Sequence, residues 1–275
     1  MLIKATPIPN RLPRFRTREG IQEREKFRRT LLGIGGDVPL LWLPKSTDTT
    51  TTTTADRNAR TLTYDASIAS RLGMLGSGLT VSFDGLANYG SVPDAANLSF
   101  GDGVTDSPFS IAAWFNQTAS AGAKEILNKF DITTGNTKQE WRLVLDASEK
   151  LILQLVDDSA SAYIGRTYNT ALATGTPIFI VATYSGSKAA SGIKLYAWDG
   201  TAAGQVDDTD YSNGTYVAME NKSGLCYLGA SRGAAALVNY FLGSKDCVML
   251  AAQQFGEDEI WELKAAGNAF FDLSF

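Results

Sequence analysis

The chain has 275 residues, of which 44% are apolar and 10% aromatic, and these proportions are sufficient for a large buried core. It contains no histidine, which excludes Ser-His-Asp and Cys-His catalysis and every imidazole metal site. Without histidine, carboxylates are the only plausible acid-base groups or metal ligands. The formal net charge is −4.

Two further features concern the compartment of the protein. No apolar run approaches the roughly 20 residues that a membrane span needs, and the N-terminus lacks the apolar core of a signal peptide. We therefore expect a soluble protein that is not exported by that route. Cys226 and Cys247 are expected to be buried free thiols, since a domain of this size does not require the one disulfide they could form.

Basic residues are concentrated at the start of the chain. Residues 1–30 contain nine Lys or Arg and three acids, a charge of +6, whereas the rest of the chain carries −10. Pro7, Pro9 and Pro13 predict an extended arm that can lie along another surface. The composition indicates a basic arm attached to an acidic body.

A helix is predicted from Thr17 to Leu32, with Thr17 as its N-cap and Gly33 as its C-cap. Its apolar stripe is narrow, so a helix of this length needs a surface to pack on. Two interpretations are open: the helix docks on a partner protein, or it folds back onto its own domain. We favour docking, with the anchoring residues Arg11, Arg14, Arg16, Phe27, Arg28 and Leu31. Nucleic acid is not favoured as the partner, because no aromatic residues interleave the basic ones.

After Gly35-Gly36 the sequence shows the apolar-polar alternation of β-strands. The stretch LTVSFDGLANYGSVPD (79–94) predicts a strand, an Asp84-Gly85 turn and a second strand ended by Pro93. Its SFDG, Tyr and VPD resemble the signature of laminin G-like jelly rolls, which have the concanavalin A-like lectin/glucanase fold. Further segments resemble the same family in the same order: FSIAAWF (109–115), PIFIVATY (177–184), GIKLYAWDG (192–200), LCYLGA (225–230) and KDCVML (245–250).

The resemblance implies an all-β fold, an antiparallel β-sandwich of the jelly-roll type with an N-terminal extended arm and helix and a short C-terminal helix. The closing helix is predicted from Glu257 to Ala266, with Gly267 as its cap. The last residues are too apolar for a free tail and are expected to pair as a strand or to dock on a neighbour. We divide the chain into a basic arm with an anchoring helix (1–36), a laminin G-like jelly roll (37–268) and an apolar tail (269–275).

The resemblance also implies a structural Ca²⁺ ion. Jelly rolls of this type often carry one, bound by the Asp of the closing strand, by backbone carbonyls and by an acid near the start of the domain, and Ca²⁺ requires such hard oxygen ligands. Asp246 is the matching strand residue, Asp56 is an N-terminal contributor, and Asp84 is a weaker one. The alternative for Asp84 is that it only builds its turn.

The same fold includes glycoside hydrolases, whose catalytic carboxylates alternate along one strand as E-x-D-x-x-E. No such strand is present, and the acidic stretch from Glu257 to Glu262 belongs to the closing helix. We therefore predict that the protein is not an enzyme. Glycan binding is the common non-enzymatic role of the family, and the candidate residues are on predicted loops: Tyr168, Tyr211, Asn213 and Tyr216.

A basic arm joined to one lectin-like jelly roll, without an export signal, is similar to virion proteins of tailed bacteriophages. The hypothesis is a non-enzymatic head, collar, tail or fibre protein that is anchored to other virion proteins through residues 1–36 and displays the jelly roll for adhesion to a host-surface glycan. We expect it to be assembled in the host cytoplasm, to be oligomeric in the virion and to have no membrane partner. A bacterial glycan-binding module and a glycoside hydrolase of the same fold are the alternatives.

Overall fold

The structure, a computed structural model, describes residues 18–44, 53–55, 60–65, 69–72, 79–200, 203–205, 208–271 and 273. Arg11, Arg14 and Arg16 of the predicted arm, and Asp56 of the predicted calcium site, lie outside these residues. None of the helices in the described ranges is long and apolar enough to cross a membrane.

The described residues form two α-helices and nineteen strands. Helix α1 spans Arg18–Gly35 and helix α2 spans Glu257–Phe271. The strands are β1 (Leu40–Trp42), β2 (Thr53–Ala55), β3 (Arg60–Asp65), β4 (Ala69–Leu72), β5 (Leu79–Asp84), β6 (Tyr89–Val92), β7 (Phe109–Gln117), β8 (Lys124–Asp131), β9 (Lys138–Leu145), β10 (Leu151–Asp157), β11 (Ala162–Tyr168), β12 (Pro177–Tyr184), β13 (Ile193–Trp198), β14 (Ala203–Gln205), β15 (Asp208–Asn213), β16 (Cys226–Leu228), β17 (Ser231–Arg232), β18 (Leu237–Val238) and β19 (Leu242–Ala251). The strands predicted at 109–115, 177–184 and 245–250 are confirmed as β7, β12 and β19.

The strands form two sheets that share one core, which confirms the predicted all-β sandwich. As far as it is described, the first sheet has the order β14-β13-β12-β7-β19-β5-β4, with β1 beside β19. The second sheet has the order β15-β11-β10-β9-β8-β16-β6-β3-β2. The pairings are antiparallel except that β17, which forms a hairpin with β18, lies parallel to β8.

Alternate side chains of each strand fill the main core between the sheets. In β9 of the second sheet, Trp141, Leu143 and Leu145 belong to this core. Because successive strand residues point to opposite faces, Arg142 and Val144 face outward. The same parity holds across the neighbouring strands and defines an outer face of the second sheet.

Strand β7 of the first sheet is buried on both faces, which explains its continuous apolar sequence. Ile111 and Phe115 point into the main core. Ala112 and Trp114 point to the other side, into a second core beneath the two helices. The first sheet is therefore the middle layer of the molecule.

Helix α1 packs onto its own domain. Phe27 is 4% exposed, stacks on Phe270 with 4.4 Å between the ring centroids, and has an edge contact with Trp114 at 5.8 Å. Leu31 is fully buried in the same second core. The docking role predicted for Phe27 and Leu31 is wrong. Both side chains pack against the apolar outer face of the first sheet, so the helix folds back onto its own domain, as in the second interpretation. Arg28 pairs with Glu25 of the same helix at 3.0 Å.

Helix α2 continues five residues beyond its predicted end at Ala266. Gly267 is not a cap: it lies against the indole of Trp114, and a Cβ atom at this glycine would be 2.2 Å from Trp114 Nε1. Phe270 and Phe271 form the last turn of the helix and are buried in the second core. These two residues therefore neither pair as a strand nor dock on a neighbour.

The two cysteines lie in different cores. Cys226 is buried in the main core and Cys247 in the second core, and no disulfide joins them. The prediction of two buried cysteines without a disulfide is confirmed.

Candidate functional site

The outer face of the second sheet is left open by the helices, since α1 and α2 both pack on the first sheet. The strand register aligns one residue from each of six neighbouring strands across this face. Neighbouring strands are about 4.8 Å apart, so this row extends about 24 Å. We call it the outer-face row, and its members are Tyr211, Gly165, Gln154, Arg142, Asn128 and Tyr227.

Two tyrosines form the β15 end of the row. The ring centroids of Tyr163 and Tyr211 are 5.6 Å apart, with an angle of 58° between the ring planes. The Tyr211 ring lies directly on Gly165, which has no side chain. A Cβ atom at this position would be only 2.4 Å from Tyr211 Cζ. Burial raises the pKa of Tyr211, so its hydroxyl group stays protonated and can both donate and accept a hydrogen bond.

Arg142 is held in one position at the middle of the row. Its Nε donates a 2.6 Å hydrogen bond to Gln154 Oε1, and its guanidinium carbon lies 4.6 Å from the centre of the Phe130 ring. One of its terminal nitrogens is 3.6 Å from Glu125 Oε1. The side chain is 26% exposed, so part of this fixed positive charge faces solvent.

The segment 230–239 covers the next part of the outer face. Asn128 donates to the carbonyl oxygen of Ala230 at 2.7 Å, and Asn239 donates to Glu125 Oε1 at 3.5 Å. Glu125 and Asn128 are therefore fully buried, and burial raises the pKa of Glu125 to about 7. In the stretch from Tyr211 to Arg142, these two end residues are partly exposed, whereas Gly165 and Gln154 between them are buried.

The four residues predicted to bind glycan have different environments. Tyr211 and Asn213 lie on strand β15, not on a loop, and Asn213 pairs with Tyr163. Tyr168 is also in a strand and is fully buried, with its hydroxyl donating to the carbonyl oxygen of Gly204 at 2.9 Å. It is not available to a ligand, because the residue parity of β11 turns it into the main core.

Tyr216 lies between strands and serves the fold. Its hydroxyl donates to Asp106 Oδ2 at 2.6 Å, and Tyr184 donates to the same oxygen at 2.6 Å. Asp106 Oδ1 accepts the backbone N–H of Met219 at 2.8 Å. Burial raises the pKa of Asp106. This carboxyl group ties the segment around residue 216 to the sandwich, away from the outer-face row.

Two of the residues predicted to bind calcium are described, and they lie apart. Asp84 Oδ1 accepts the backbone N–H groups of residues 86–88 at 2.9–3.0 Å, so this aspartate builds its turn. Asp84 pairs with Leu242 of β19, and Asp246 is four residues further along that strand, a separation of about 13 Å.

Among the residues that the structure describes, Asp246 forms no ion pair. It is 1% exposed, and burial raises its pKa well above the ordinary value, against the opposing effect of the Thr80 hydroxyl. Within the described ranges, no group of three or more acids or cysteines is placed to hold a metal ion. Asp84 and Asp246 therefore do not lie at one site, and the calcium site, whose third residue Asp56 is outside the described residues, stays a prediction.

Tyr163, Gln154 and Arg142 were not among the predicted site residues. The sequence does carry a signal for them, because each lies between two buried apolar residues of its strand, β11, β10 or β9. Parity identifies the face but not the register, and register brings the three side chains together.

A model of the concanavalin A-like lectin/glucanases superfamily matches residues 84–260. The match covers more than half of the chain. The chain belongs to this superfamily. The resemblance inferred from the SFDG motif and the later strands is thereby confirmed at the level of the superfamily. No curated protein gives a significant match to this superfamily member.

Solved structures share the fold at low identity. The binding domain of Paraclostridial Mosquitocidal Protein 1 has a TM-score of 0.55 and 12% identity, over 87% of this chain and 53% of that chain. Botulinum neurotoxin type C has a TM-score of 0.54 and 9% identity, over 86% and 53% of the two chains. Trypanosoma rangeli sialidase has a TM-score of 0.53 and 11% identity, over 89% and 37%.

This superfamily member thus spans about half of the two toxin chains and just over a third of the sialidase chain. At these identities the likeness shows the fold alone. The fold is shared by binding domains and by sialidases, so it is compatible with both classes of protein.

Proposed function

We propose that this superfamily member is a non-catalytic carbohydrate-binding domain that binds glycan on the outer face of the second sheet. The observation that carries the proposal is the pair Tyr163 and Tyr211 beside the fixed Arg142, on a face that the helices leave open. Sugar rings pack their C–H faces on aromatic rings, and their hydroxyl groups bond to amide, phenol and guanidinium groups.

Arg142 favours a glycan that carries an acidic group. A guanidinium group binds carboxylates in a planar, two-point geometry, and the contacts of Arg142 with Gln154 and Phe130 hold it ready for this. Botulinum neurotoxin type C depends on interaction with ganglioside molecules for cell entry, and the binding domain of botulinum neurotoxin DC forms a complex with SialylT. These proteins support a glycan as the ligand class.

The environment of the acids supports the non-catalytic part of the proposal. Burial raises the pKa of both Glu125 and Glu140 to about 7, a value that suits a general acid. Both side chains are fully buried among internal partners, however, whereas a glycosidase acid must contact the glycosidic oxygen. Release of reducing ends from acidic polysaccharides by the purified chain would contradict this part.

The test is a glycan array with wild type and the double variant Y163A/Y211A. Wild type is expected to bind acidic glycans, and the double variant to lose about tenfold or more in affinity, since each aromatic contact contributes about 1 kcal/mol. The matched control is Trp261→Ala, which removes a 55% exposed aromatic from α2 on the other side of the molecule and should bind as wild type does. An array on which wild type binds nothing, or on which Y163A/Y211A binds equally well, refutes the proposal.

We also retain the proposal that the domain is a component of a phage particle, where it adheres to a host-surface glycan. Its support is the basic start of the chain, opposite in sign to the body: residues 1–17, before α1, contain four Lys or Arg and no acid, a charge of +4. Since Phe27 and Leu31 are used inside the domain, anchoring to other virion proteins is assigned to the basic residues that precede α1.

A further inference from the structure

A buried lysine lies inside a cage of oxygen atoms near the C-terminal end of β8. The Nζ atom of Lys129 is 2.7 Å from Asp94 Oδ1 and 2.6 Å from Glu140 Oε1. It donates hydrogen bonds to Ser99 Oγ and to the carbonyl oxygen of Lys222, both at 2.6 Å. The lysine side chain is fully buried.

The arrangement resembles the coordination of a metal ion more than a set of matched hydrogen bonds. An ammonium group has three N–H donors, and four oxygen atoms surround this one at almost equal distances. Two of these atoms are carboxylate oxygens, one is a hydroxyl and one is a backbone carbonyl. This is the donor set that Ca²⁺ takes in proteins, at 2.3–2.6 Å.

The cage has contacts of its own that do not involve the lysine. Glu140 Oε1 accepts the backbone N–H of Lys222 at 2.8 Å. Ser99 Oγ lies 3.3 Å from Glu140 Oε1 and 3.1 Å from Asn221 Oδ1. Within the part of the chain that the structure describes, the second oxygen of Glu140 is buried and has no hydrogen-bond partner, so one more ligand atom is available there.

The charges of the cage also favour a divalent ion. When both carboxyl groups are ionised, Asp94 and Glu140 carry −2 together, of which the single charge of Lys129 balances half and a divalent ion would balance all. Asp94 is 33% exposed, so the cage can be reached from solvent on that side.

We propose that the ammonium group of Lys129 is a built-in substitute for a metal ion, and that its removal converts the cage into a Ca²⁺ site. The lysine joins the segment 94–99, strand β9 and the segment around Lys222, which are far apart in the sequence. The wild-type domain obtains this connection without a metal. The proposal is independent of glycan binding.

The test measures thermal unfolding of the full chain, with CaCl₂ or EDTA, for wild type, K129A and K129M. Alanine vacates the centre of the cage, so Ca²⁺ is expected to raise the Tm of K129A by about 5 °C or more. Methionine removes the charge but fills the space, so K129M should be destabilised and should not respond to Ca²⁺. Wild type should not respond either, and K129A/E140Q should lose the response of K129A.

Three results for folded variants, and a fourth for an unfolded one, overturn the proposal. The first is a folded K129A that does not respond to millimolar Ca²⁺. The second is a wild type that responds as strongly as K129A, since the lysine would then not occupy the site. The third is a K129M as stable as wild type. If K129A is unfolded in EDTA, recovery of its circular dichroism signal on adding Ca²⁺ supports the proposal, and absence of recovery overturns it.

Discussion

At the scale of single residues, Glu125 links the buried polar groups to the candidate glycan site. Burial raises the pKa of its carboxyl group to about 7, and the positive charges of Arg142 and Lys245 oppose this rise. Lys245 lies 3.9 Å from the Phe241 ring and donates to the backbone carbonyl of Glu125, and its own pKa is lowered by burial. Near neutral pH, Glu125 therefore changes between its neutral and charged forms.

The variant E125Q tests this titration. The folded state binds the Glu125 proton more tightly than the unfolded state, whose pKa is near 4.5, so this group contributes most below pH 4.5 and its contribution is lost as pH rises through 7. We expect wild type to lose on the order of 3 kcal/mol of unfolding free energy relative to E125Q over this range. Urea unfolding at both ends of the range measures it. A difference between the two proteins that does not change with pH would show that burial leaves the Glu125 pKa unshifted.

At the scale of secondary-structure elements, the two helices complete the first sheet. Without them, Trp114, Phe179 and Met249 would expose a continuous apolar surface to water. Phe27 inserts between Trp114 and the pair Phe270 and Phe271, so α1 and α2 share one contact region on the sheet. The narrow apolar stripe of α1 is sufficient to hold the helix because Phe27 and Leu31 are buried in this contact region.

The variant Phe27→Ala measures the contribution of α1. Removing a buried ring leaves a cavity under both helices, and we expect a loss of about 3–4 kcal/mol of unfolding free energy. Arg29→Ala is the control on the same helix, because the Arg29 side chain is 77% exposed and its ion pair with Glu25 contributes little. Chemical denaturation of both variants distinguishes them. Equal stability of Phe27→Ala and wild type would show that α1 is dispensable to the fold.

In the molecule as a whole, the two outer faces of the sandwich differ in what covers them. The outer face of the first sheet is covered by helices, and the outer face of the second sheet carries the tyrosine pair and Arg142. Under the proposed function, glycan would bind on the side of the sandwich opposite the helices.

Two deletions test the division of roles. Removing residues 1–17 keeps every described contact of α1, so we expect a folded domain that still binds glycan but is no longer incorporated into particles. Removing residues 1–36 also takes Phe27 and Leu31 out of the second core and should destabilise the domain. Co-expression with the virion proteins, followed by purification of particles, measures incorporation. Wild-type incorporation of the shorter deletion would rule out anchoring by the arm.

Local sequence patterns were sufficient to predict several strands and the superfamily. The apolar runs at 109–115 and 177–184 and the Asp84-Gly85 turn are short-range patterns, which indicate local structure without knowledge of any distant contact. Gly267 shows the limit of such patterns. As a glycine near the expected end of a helix, it looks like a helix cap. Its role, however, is to let α2 approach Trp114, which lies more than 150 residues away in the chain.

The positions of the candidate glycan site and of the Lys129 cage depend on the tertiary structure. Tyr163 and Tyr168 are equally plausible surface tyrosines in the sequence, but the parity of β11 exposes the first and buries the second. The oxygen atoms around Lys129 likewise come from residues far apart in the sequence, Asp94, Ser99, Glu140 and Lys222. The pairing register of the strands and the long connections between them bring these groups together. A one-residue shift in register would turn each strand residue to the other face of the sheet, so no local sequence pattern specifies which groups meet.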